Sequence, residues 1–260
     1  MLRPRSQRDA PRFKNAAHRH LSAGAFVEEA TAYDRIRPAY LPRTRELLGR
    51  PHAGLRVHDL GCGTGKFLSL WEGSDAHLSA SDPSTDMLRV CRVLHPEIPL
   101  WRGVAEHIPL PDSSLDVLTC AQTWHWVDTA RACQEADRVL APGGQLLLAW
   151  NTIDVSEPWV LRLARIMHSG DIQREGFLPE LVEPFEVRRT LRTRWSTEMS
   201  PADLHALTHT RSYWLRSPEH IRQRVTDNLN WYLFEHLGFE EDSRITLPYR
   251  LDAFLVERAE

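Results

Sequence analysis

Residues 55–66 read Leu-Arg-Val-His-Asp-Leu-Gly-Cys-Gly-Thr-Gly-Lys. A short strand pattern over 55–60, with apolar residues at 55, 57 and 60, leads directly into three alternating glycines, Gly61, Gly63 and Gly65. Glycines at this spacing let the chain turn sharply and let a ligand touch main-chain atoms. The stretch therefore predicts a short buried strand, a glycine turn and then a helix.

Strands and helices alternate outward from this turn through residue 151. The predicted strands cover 55–60, 77–81, 99–102, 115–122 and 145–150. The predicted helices cover 25–35, 42–49, 66–71, 84–94 and 130–140. This alternation is typical of an α/β protein with a parallel, doubly wound sheet and helices on both faces.

The pattern changes after residue 151, where a mixed and mostly helical stretch begins. Two more strands are predicted over 185–197 and 244–256, with helices over 201–215 and 218–237 between them. Four arginines on the first of these strands favour a solvated strand at the edge of the sheet.

No low-complexity linker separates the two halves, so we expect one integrated domain in three parts. The first part is a flexible basic tail over 1–24. The second is a ligand-binding core over 25–151. The third, over 152–260, is expected to form a helical substrate cap and to complete the sheet.

Composition excludes several classes of protein. The 260 residues carry a formal net charge of −3, and 42% are apolar, as in ordinary soluble globular proteins. A charge near zero disfavours a dedicated nucleic-acid-binding protein. No apolar run approaches the ~18 residues of a membrane span. The basic start over 1–22 lacks the apolar segment of a secretory signal. We expect a solvated tail there rather than an organelle transit peptide, and a cytoplasmic location.

The cysteines and histidines predict no metal site. Cys62, Cys91, Cys120 and Cys133 form no C-x-x-C pair and no zinc-type spacing. We expect four reduced, mostly buried thiols. The 13 histidines are scattered, and no H-x-x-x-H pair is expected on a helix.

The spacing of the glycines and of the next acid indicates the kind of ligand. A dinucleotide fingerprint reads G-x-G-x-x-G, whereas the third glycine comes one residue early here. The ligand is therefore expected to carry an adenosyl group without a pyrophosphate. Asp82 ends the second strand, where a carboxylate accepts hydrogen bonds from ribose hydroxyls. The alternative is that Asp82 caps the helix over 84–94.

Six further segments of the sequence are motifs whose order along the chain can be compared with that of known families. They are Gly103-Val-Ala-Glu-His-Ile-Pro109, Gln122-Thr-Trp-His-Trp-Val-Asp128, Arg138-Val-Leu-Ala-Pro-Gly-Gly144, Tyr33-Asp-Arg-Ile-Arg-Pro-Ala-Tyr40, Arg211-Ser-Tyr-Trp214 and Leu247-Pro-Tyr249. With the glycine turn and Asp82, the chain resembles the class I S-adenosylmethionine-dependent methyltransferases. The resemblance is closest to the methyltransferase-domain group that includes trans-aconitate methyltransferase-like proteins, and it covers residues 26–151 most strongly.

The resemblance implies a fold, a cofactor and site residues. The fold would be a Rossmann-like, seven-stranded, mostly parallel sheet whose last strand runs antiparallel beside the fifth. The cofactor would be S-adenosyl-L-methionine. The residues implied to bind it are Asp59, Gly61, Gly63, Gly65, Asp82, Met87, Ala105, Glu106, Gln122 and Arg37. Many relatives carry an acid where this chain has Val104, so the adenine contact would come from main chain, Glu106 or water.

The resemblance also implies where chemistry occurs. The residues nearest the transferred methyl group would be His125, Trp124 and Tyr33, and Tyr33 and Arg37 would close over the cofactor. The implied substrate residues are Trp126, Trp159, Arg211, Tyr213 and Trp214, with Trp231 as a further candidate. His125 is either a general base or an orienting group. Arg211 either pairs with a substrate carboxylate or is an ordinary surface arginine.

The function expected from these residues is methyl transfer to a small molecule that bears a carboxylate or a hydroxyl. O-methylation is favoured, with methylation of carbon or nitrogen as alternatives. The rival functions are a methyltransferase acting on RNA or protein, a cofactor-binding protein without turnover, and a dehydrogenase. We expect a monomer or a homodimer that uses no metal.

Overall fold

A computed structural model describes residues 30–259 of the chain. The predicted basic tail over 1–24 lies outside the described residues. Of the helix predicted over 25–35, the described part is α1, Ala30–Ile36.

Seven strands form one sheet in the order β3-β2-β1-β4-β5-β7-β6. The strands are β1 Arg56–Leu60, β2 His77–Asp82, β3 Leu100–Arg102, β4 Leu115–Ala121, β5 Leu140–Ile153, β6 Phe185–Met199 and β7 Ile245–Arg258. The first five strands pair in parallel with one another.

The orientation of β7 follows from its contacts with β5. The Gln145 side chain donates to Glu257, whereas the Asp154 amide donates to the carbonyl of Pro248. As the residue number rises along β5 it falls along β7, so the two strands are antiparallel. The predicted fold class, a mostly parallel sheet with an antiparallel last strand, is therefore confirmed.

The helices and turns follow the strands in chain order. The α-helices are α1 Ala30–Ile36, α2 Arg43–Glu46, α3 Thr85–Leu94, α4 Thr129–Val139, α5 Pro158–Ile166, α6 Pro201–His209, α7 Ser212–Arg216 and α8 Glu219–Asn230. Leu68–Trp71 and Trp124–Trp126 are 3₁₀ turns, and Trp231–His236 is a π-helical turn. No helix within residues 30–259 is both long and apolar enough to cross a membrane.

The central strands are apolar without alternation because both of their faces are buried. On β5, each of Leu146, Leu147, Leu148 and Ala149 is fully buried. β6 lies at the edge of the sheet, and most of its residues are exposed or half-buried. This edge position matches the arginine-rich pattern, because charged side chains protect an open edge from pairing with other strands.

The chain divides into two compact units. The first unit contains the described residues up to Pro38, together with Thr152–Phe177 and Thr193–Arg250. Its apolar core combines residues of α5, α6, the end of α8, the π-helical turn and β7. The second unit contains Ala39–Asn151, Leu178–Arg192 and residues 251–259. It holds strands β1 to β4 and the glycine turn.

Four elements differ from the prediction. The helix expected over 42–49 is only the four residues Arg43–Glu46. The helix expected over 66–71 is only a short 3₁₀ turn after the glycines. The helix expected over 201–215 is two helices, because Arg211 has an extended backbone and begins α7 as its N-cap. Strand β5 begins at Leu140 rather than 145 and passes through Pro142-Gly143-Gly144 with a register shift against β4.

Candidate functional site

The glycine turn is held against the end of β2. The amides of Gly61 and Cys62 both donate to the carbonyl of Ser81, at 2.8 and 3.0 Å. A Cβ on Gly61 would lie 2.3 Å from Thr123, so this glycine is required by packing. A Cβ on Gly63 would meet no heavy atom within 4 Å in the described part of the chain. Gly63 therefore faces open space beside the turn.

Asp82 joins the glycine turn to the loop after β2. One carboxylate oxygen accepts from the Gly63 amide at 2.9 Å and the other accepts from the Ser84 amide at 2.8 Å. The N-cap of α3 is Ser84, whose hydroxyl accepts from the Met87 amide. The alternative that Asp82 caps this helix is therefore wrong.

Asp59 is a second buried carboxylate near the end of β1. Its Oδ1 accepts from the Thr119 hydroxyl at 2.6 Å. Its Oδ2 is buried and has no hydrogen-bond partner among residues 30–259. Burial raises the pKa of Asp59 to about 7, and the nearby carboxylate of Asp82 adds to this rise. Burial also raises the pKa of Asp82, although the hydrogen bonds from its two amide donors act to lower it.

Two amide side chains add more hydrogen-bond acceptors. Gln122 follows β4 with a φ of 53°, a left-handed conformation that is uncommon outside glycine. Its side-chain nitrogen donates to the carbonyl of Asn151, and the Asn151 side-chain nitrogen donates to the carbonyl of Ala39. The remaining amide oxygens, Gln122 Oε1 and Asn151 Oδ1, are buried without a partner in the described chain.

We name Asp59, Asp82, Gln122 and Asn151 the strand-end region, because they lie at or just beyond the carboxyl ends of β1, β2, β4 and β5. Ligands of open α/β sheets bind at these ends. Buried polar atoms are normally satisfied, so three unpartnered acceptor oxygens indicate a ligand or water that donates hydrogen bonds.

His125 has a defined tautomer. Its Nδ1 lies 3.1 Å from Nε1 of Trp150, and an indole nitrogen is a donor only. His125 Nδ1 therefore accepts and carries no proton, which places the proton of the ring on Nε2. In this arrangement His125 presents a hydrogen-bond donor at Nε2.

The two tryptophans beside His125 have different surroundings. Trp124 is 2% exposed, and its indole nitrogen donates to the carbonyl of Glu180 at 2.9 Å. Trp126 is half-buried, with its ring centroid 5.0 Å from that of His125. The structure thus places Trp124 in the core of the second unit and Trp126 beside the imidazole.

The residues expected near adenine also belong to the second unit. Met87 and Ala105 are buried. Glu106 accepts from the Asp128 amide at 2.7 Å, at the start of α4. Val104, which replaces the acid of many relatives, is 41% exposed.

A second polar group lies in the first unit, and we name it the arginine cluster: Arg37, Asp171, Arg211 and Tyr249. Arg211 donates twice to Asp171, at 2.5 and 2.7 Å. Arg37 donates to the same carboxylate at 3.4 Å and to the hydroxyl of Thr210 at 3.0 Å. One carboxylate therefore serves two guanidinium groups.

Burial shapes the charges of the arginine cluster. Burial, followed by the neighbouring charge of Arg37, lowers the pKa of Arg211 despite the attraction of Asp171. Burial also acts to lower the pKa of Arg37, but Tyr33 and Asp171 outweigh it and the pKa is raised. The Arg37 guanidinium lies 5.2 Å from the centre of the Tyr33 ring.

The other predicted substrate residues lie in the first unit, and each packs against a different partner. Tyr213 stacks on His168, with ring centroids 3.8 Å apart, and Trp214 stacks on His209 at 4.1 Å. Trp159 packs against the apolar core of the unit. Trp231 is 41% exposed.

Sequence reasoning missed several residues of these sites. Asn151 had a usable signal, since it is the first polar residue after the strand predicted over 145–150. Asp171 and Tyr249 had no local signal that relates them to Arg211. The expectation of no H-x-x-x-H pair on a helix is wrong: His205 and His209 lie four residues apart on α6, with ring centroids 6.4 Å apart. Even so, no group of three potential metal ligands occurs within residues 30–259.

Comparison with known proteins gives the family. Residues 58–148 match the family described as Methyltransferase domain. An uncharacterized methyltransferase of Mycobacterium tuberculosis (strain ATCC 25618 / H37Rv) is 38% identical, over 86% of this chain and 92% of its own. An uncharacterized methyltransferase-like protein of Schizosaccharomyces pombe is 30% identical, over 78% of this chain and 82% of its own.

A solved structure agrees in fold. The S-adenosylmethionine-dependent methyltransferase of Geobacter sulfurreducens, determined with S-adenosyl-L-homocysteine, has a TM-score of 0.52 and 18% identity. The match covers 90% of this chain and 98% of the other. The curated relatives and the family match confirm the expected family, and the chain belongs to the class I S-adenosylmethionine-dependent methyltransferases.

Proposed function

We propose that the strand-end region binds S-adenosylmethionine and that the chain transfers its methyl group to a small-molecule acceptor. The observation that carries this proposal is the set of three buried, unpartnered oxygens, Asp59 Oδ2, Gln122 Oε1 and Asn151 Oδ1, together with the open space at Gly63. The cofactor is rich in matching donors, because it has an ammonium group and two ribose hydroxyls. The residues present therefore fit the cofactor.

Each cofactor residue has a proposed role. Asp82 receives the ribose hydroxyls, using the lone pairs that its two amide donors leave available. Gly61, Gly63 and Gly65 shape the turn around the amino-acid part, and Asp59 and Gln122 supply acceptors to it. Met87, Ala105 and Glu106 border the adenine. Arg37 and Tyr33 are proposed to cover the cofactor.

The bound cofactor supplies an already activated methyl group on a positively charged sulfur. The protein therefore has to align the acceptor and exclude water, and such alignment contributes several kcal/mol to lowering a barrier. Trp126 and the core residue Trp124 are proposed to form apolar walls for this purpose.

His125 is proposed to orient the acceptor rather than to remove its proton. Nδ1, the basic nitrogen of the Nε2-protonated ring, already accepts from Trp150. The proton on Nε2 instead makes a hydrogen bond to an oxygen of the acceptor. This role favours nucleophiles that carry no proton at neutral pH, and a carboxylate is the simplest of these.

The methyl acceptor is accordingly proposed to be a small molecule with a carboxylate or hydroxyl group, and O-methylation is favoured. Trp159, Arg211, Tyr213 and Trp214 are proposed to serve its binding. The charge totals support a small acceptor over RNA, because the whole chain is slightly acidic.

Two measurements test the proposal. S-Adenosylhomocysteine should bind the protein and raise its melting temperature, and Asp82→Ala should weaken this binding about a hundredfold by removing charge-assisted hydrogen bonds. NAD should give no stabilisation. Stabilisation by NAD but not by S-adenosylhomocysteine would overturn the cofactor assignment.

The acceptor is then sought in a cell extract that contains deuteromethyl cofactor and enzyme, with mass spectrometry of new labelled metabolites. A labelled small molecule that depends on intact Asp82 supports the proposal. Label found only in protein or RNA contradicts it, and binding without any transfer would favour a protein that binds the cofactor without turnover.

A further inference from the structure

We infer that the arginine cluster is an anion site for the carboxylate of a small molecule other than the cofactor. It is built only from residues of the first unit, and its first support is charge. Two guanidinium groups face one carboxylate, and the Asp171 side chain is the most exposed of the three, at 27% against 13% for Arg37 and 5% for Arg211.

An excess buried cation is costly unless an anion pairs with it. Asp171 compensates one of the two positive charges. A second carboxylate at the cluster would bring the sum to neutrality. The charge count therefore fits a ligand with one negative group at this place.

The second support is a pair of unpartnered donors. Arg211 is 4% exposed and Tyr249 is 2% exposed. Arg211 Nε and the Tyr249 hydroxyl find no hydrogen-bond partner within the described residues. Both Arg211 and Arg37 act on the ionisation of Tyr249, so these donors belong to one neighbourhood. They offer an incoming carboxylate an N–H and an O–H that Asp171 leaves unused.

The probes for this site are succinate and its neutral diamide, succinamide, each added at equal ionic strength. Melting temperature reports binding because a ligand of the folded state stabilises it. Succinate should raise the melting temperature of the parent protein and succinamide should not. The parent, Tyr249→Phe, Arg211→Lys and the control Arg165→Lys, at an exposed arginine of the same unit, are compared.

Tyr249→Phe removes only one hydroxyl and should weaken succinate binding about threefold to tenfold. Arg211→Lys keeps a positive charge for Asp171 but loses the Nε donor, and should weaken it about tenfold or more. Arg165→Lys should leave it unchanged. Unaltered affinity for S-adenosylhomocysteine in all three variants shows that they remain folded.

Three results would overturn the inference. One is equal stabilisation of every variant by succinate, which means nonspecific binding. Another is that succinate does not stabilise the parent protein, because water would then satisfy the donors of the arginine cluster and its role would be structural. The third is a loss of S-adenosylhomocysteine affinity in Arg211→Lys without loss for 5′-methylthioadenosine, which lacks the carboxylate, since the anion would then be the cofactor's own. Failure of the parent to bind S-adenosylhomocysteine defeats the proposed function instead, and leaves the succinate result to be judged alone.

Discussion

The strand-end region and the arginine cluster differ in the sign of their charge and in how the chain assembles them. The first gathers two buried carboxylates and two amide oxygens at the ends of neighbouring parallel strands. The second gathers two buried arginines around one carboxylate, from stretches as far apart as residues 37 and 249. One fold therefore holds a region suited to a cation and another suited to an anion. The first is built from buried acceptor oxygens and the second from buried donor groups that lack partners within residues 30–259.

The largest expected effect concerns the negative charge of the strand-end region. The pKa of Asp59 is about 7 in the folded protein, above its ordinary value of 3.8. The stability that Asp59 contributes is therefore complete below pH 4 and is lost as the pH rises to about 7. Asp59→Asn should escape this loss, which amounts to roughly 4 kcal/mol at most.

The measurement is the free energy of unfolding of the cofactor-free parent and of Asp59→Asn between pH 4 and pH 8. The variant should gain on the parent as the pH rises, and the two should converge at the acid end. Parallel curves would show that the pKa of Asp59 does not change on folding. The strand-end region would then hold one buried carboxylate with a raised pKa instead of two.

A second test asks whether the open space at Gly63 belongs to the cofactor. Gly63→Ala is matched by Gly54→Ala, because both glycines have a positive φ, of 57° and 74°, and both face open space. Each substitution should destabilise the fold by about 1 kcal/mol through backbone strain. Only Gly63→Ala should also weaken S-adenosylhomocysteine binding, about tenfold or more.

Titration calorimetry on the two variants separates strain from lost contact. Equal affinities in Gly63→Ala and Gly54→Ala would mean that the ligand does not approach the turn, and the strand-end region would no longer be the cofactor site.

The smallest effect concerns the proton on His125, whose position decides whether Nε2 presents a hydrogen-bond donor or an acceptor. With Trp150 donating to Nδ1, the ring is neutral and holds its proton on Nε2. The nitrogen-15 chemical shifts of the imidazole should show this tautomer in the parent at neutral pH. Trp150→Phe should shift the ring toward a mixture of tautomers, because the indole donor is gone.

A parent ring that is protonated on Nδ1 would contradict this geometry. It would also leave Nε2 unprotonated and return His125 to the role of a general base.

Local patterns were sufficient for much of the strand-end region. The glycine turn and Asp82 were recognisable because a strand, a turn and the next strand lie close together in sequence and have narrow backbone requirements. Asn151 was missed although it directly follows the strand predicted over 145–150. Its importance arises from hydrogen bonds to Ala39 and Gln122, and these pairings depend on which strands become neighbours.

The arginine cluster was only half predictable. Arg211 and Arg37 stood out through the resemblance to a family, and Tyr249 was noted only as part of the segment Leu247-Pro-Tyr249. Asp171 lies in a segment without any pattern that relates it to arginine. The break between α6 and α7 at Arg211 was also missed, because an extended residue between two helices changes little in the apolar periodicity.

The α/β class, the glycine turn and the family could be predicted from the sequence alone, because they follow from apolar periodicity and from short motifs with strict backbone demands. The fold was needed to show which buried polar atoms lack partners among residues 30–259, which nitrogen of His125 carries the proton, and which carboxylate two arginines share. Those properties depend on burial and on contacts between residues distant in the chain, and neither is encoded in the spacing of neighbours.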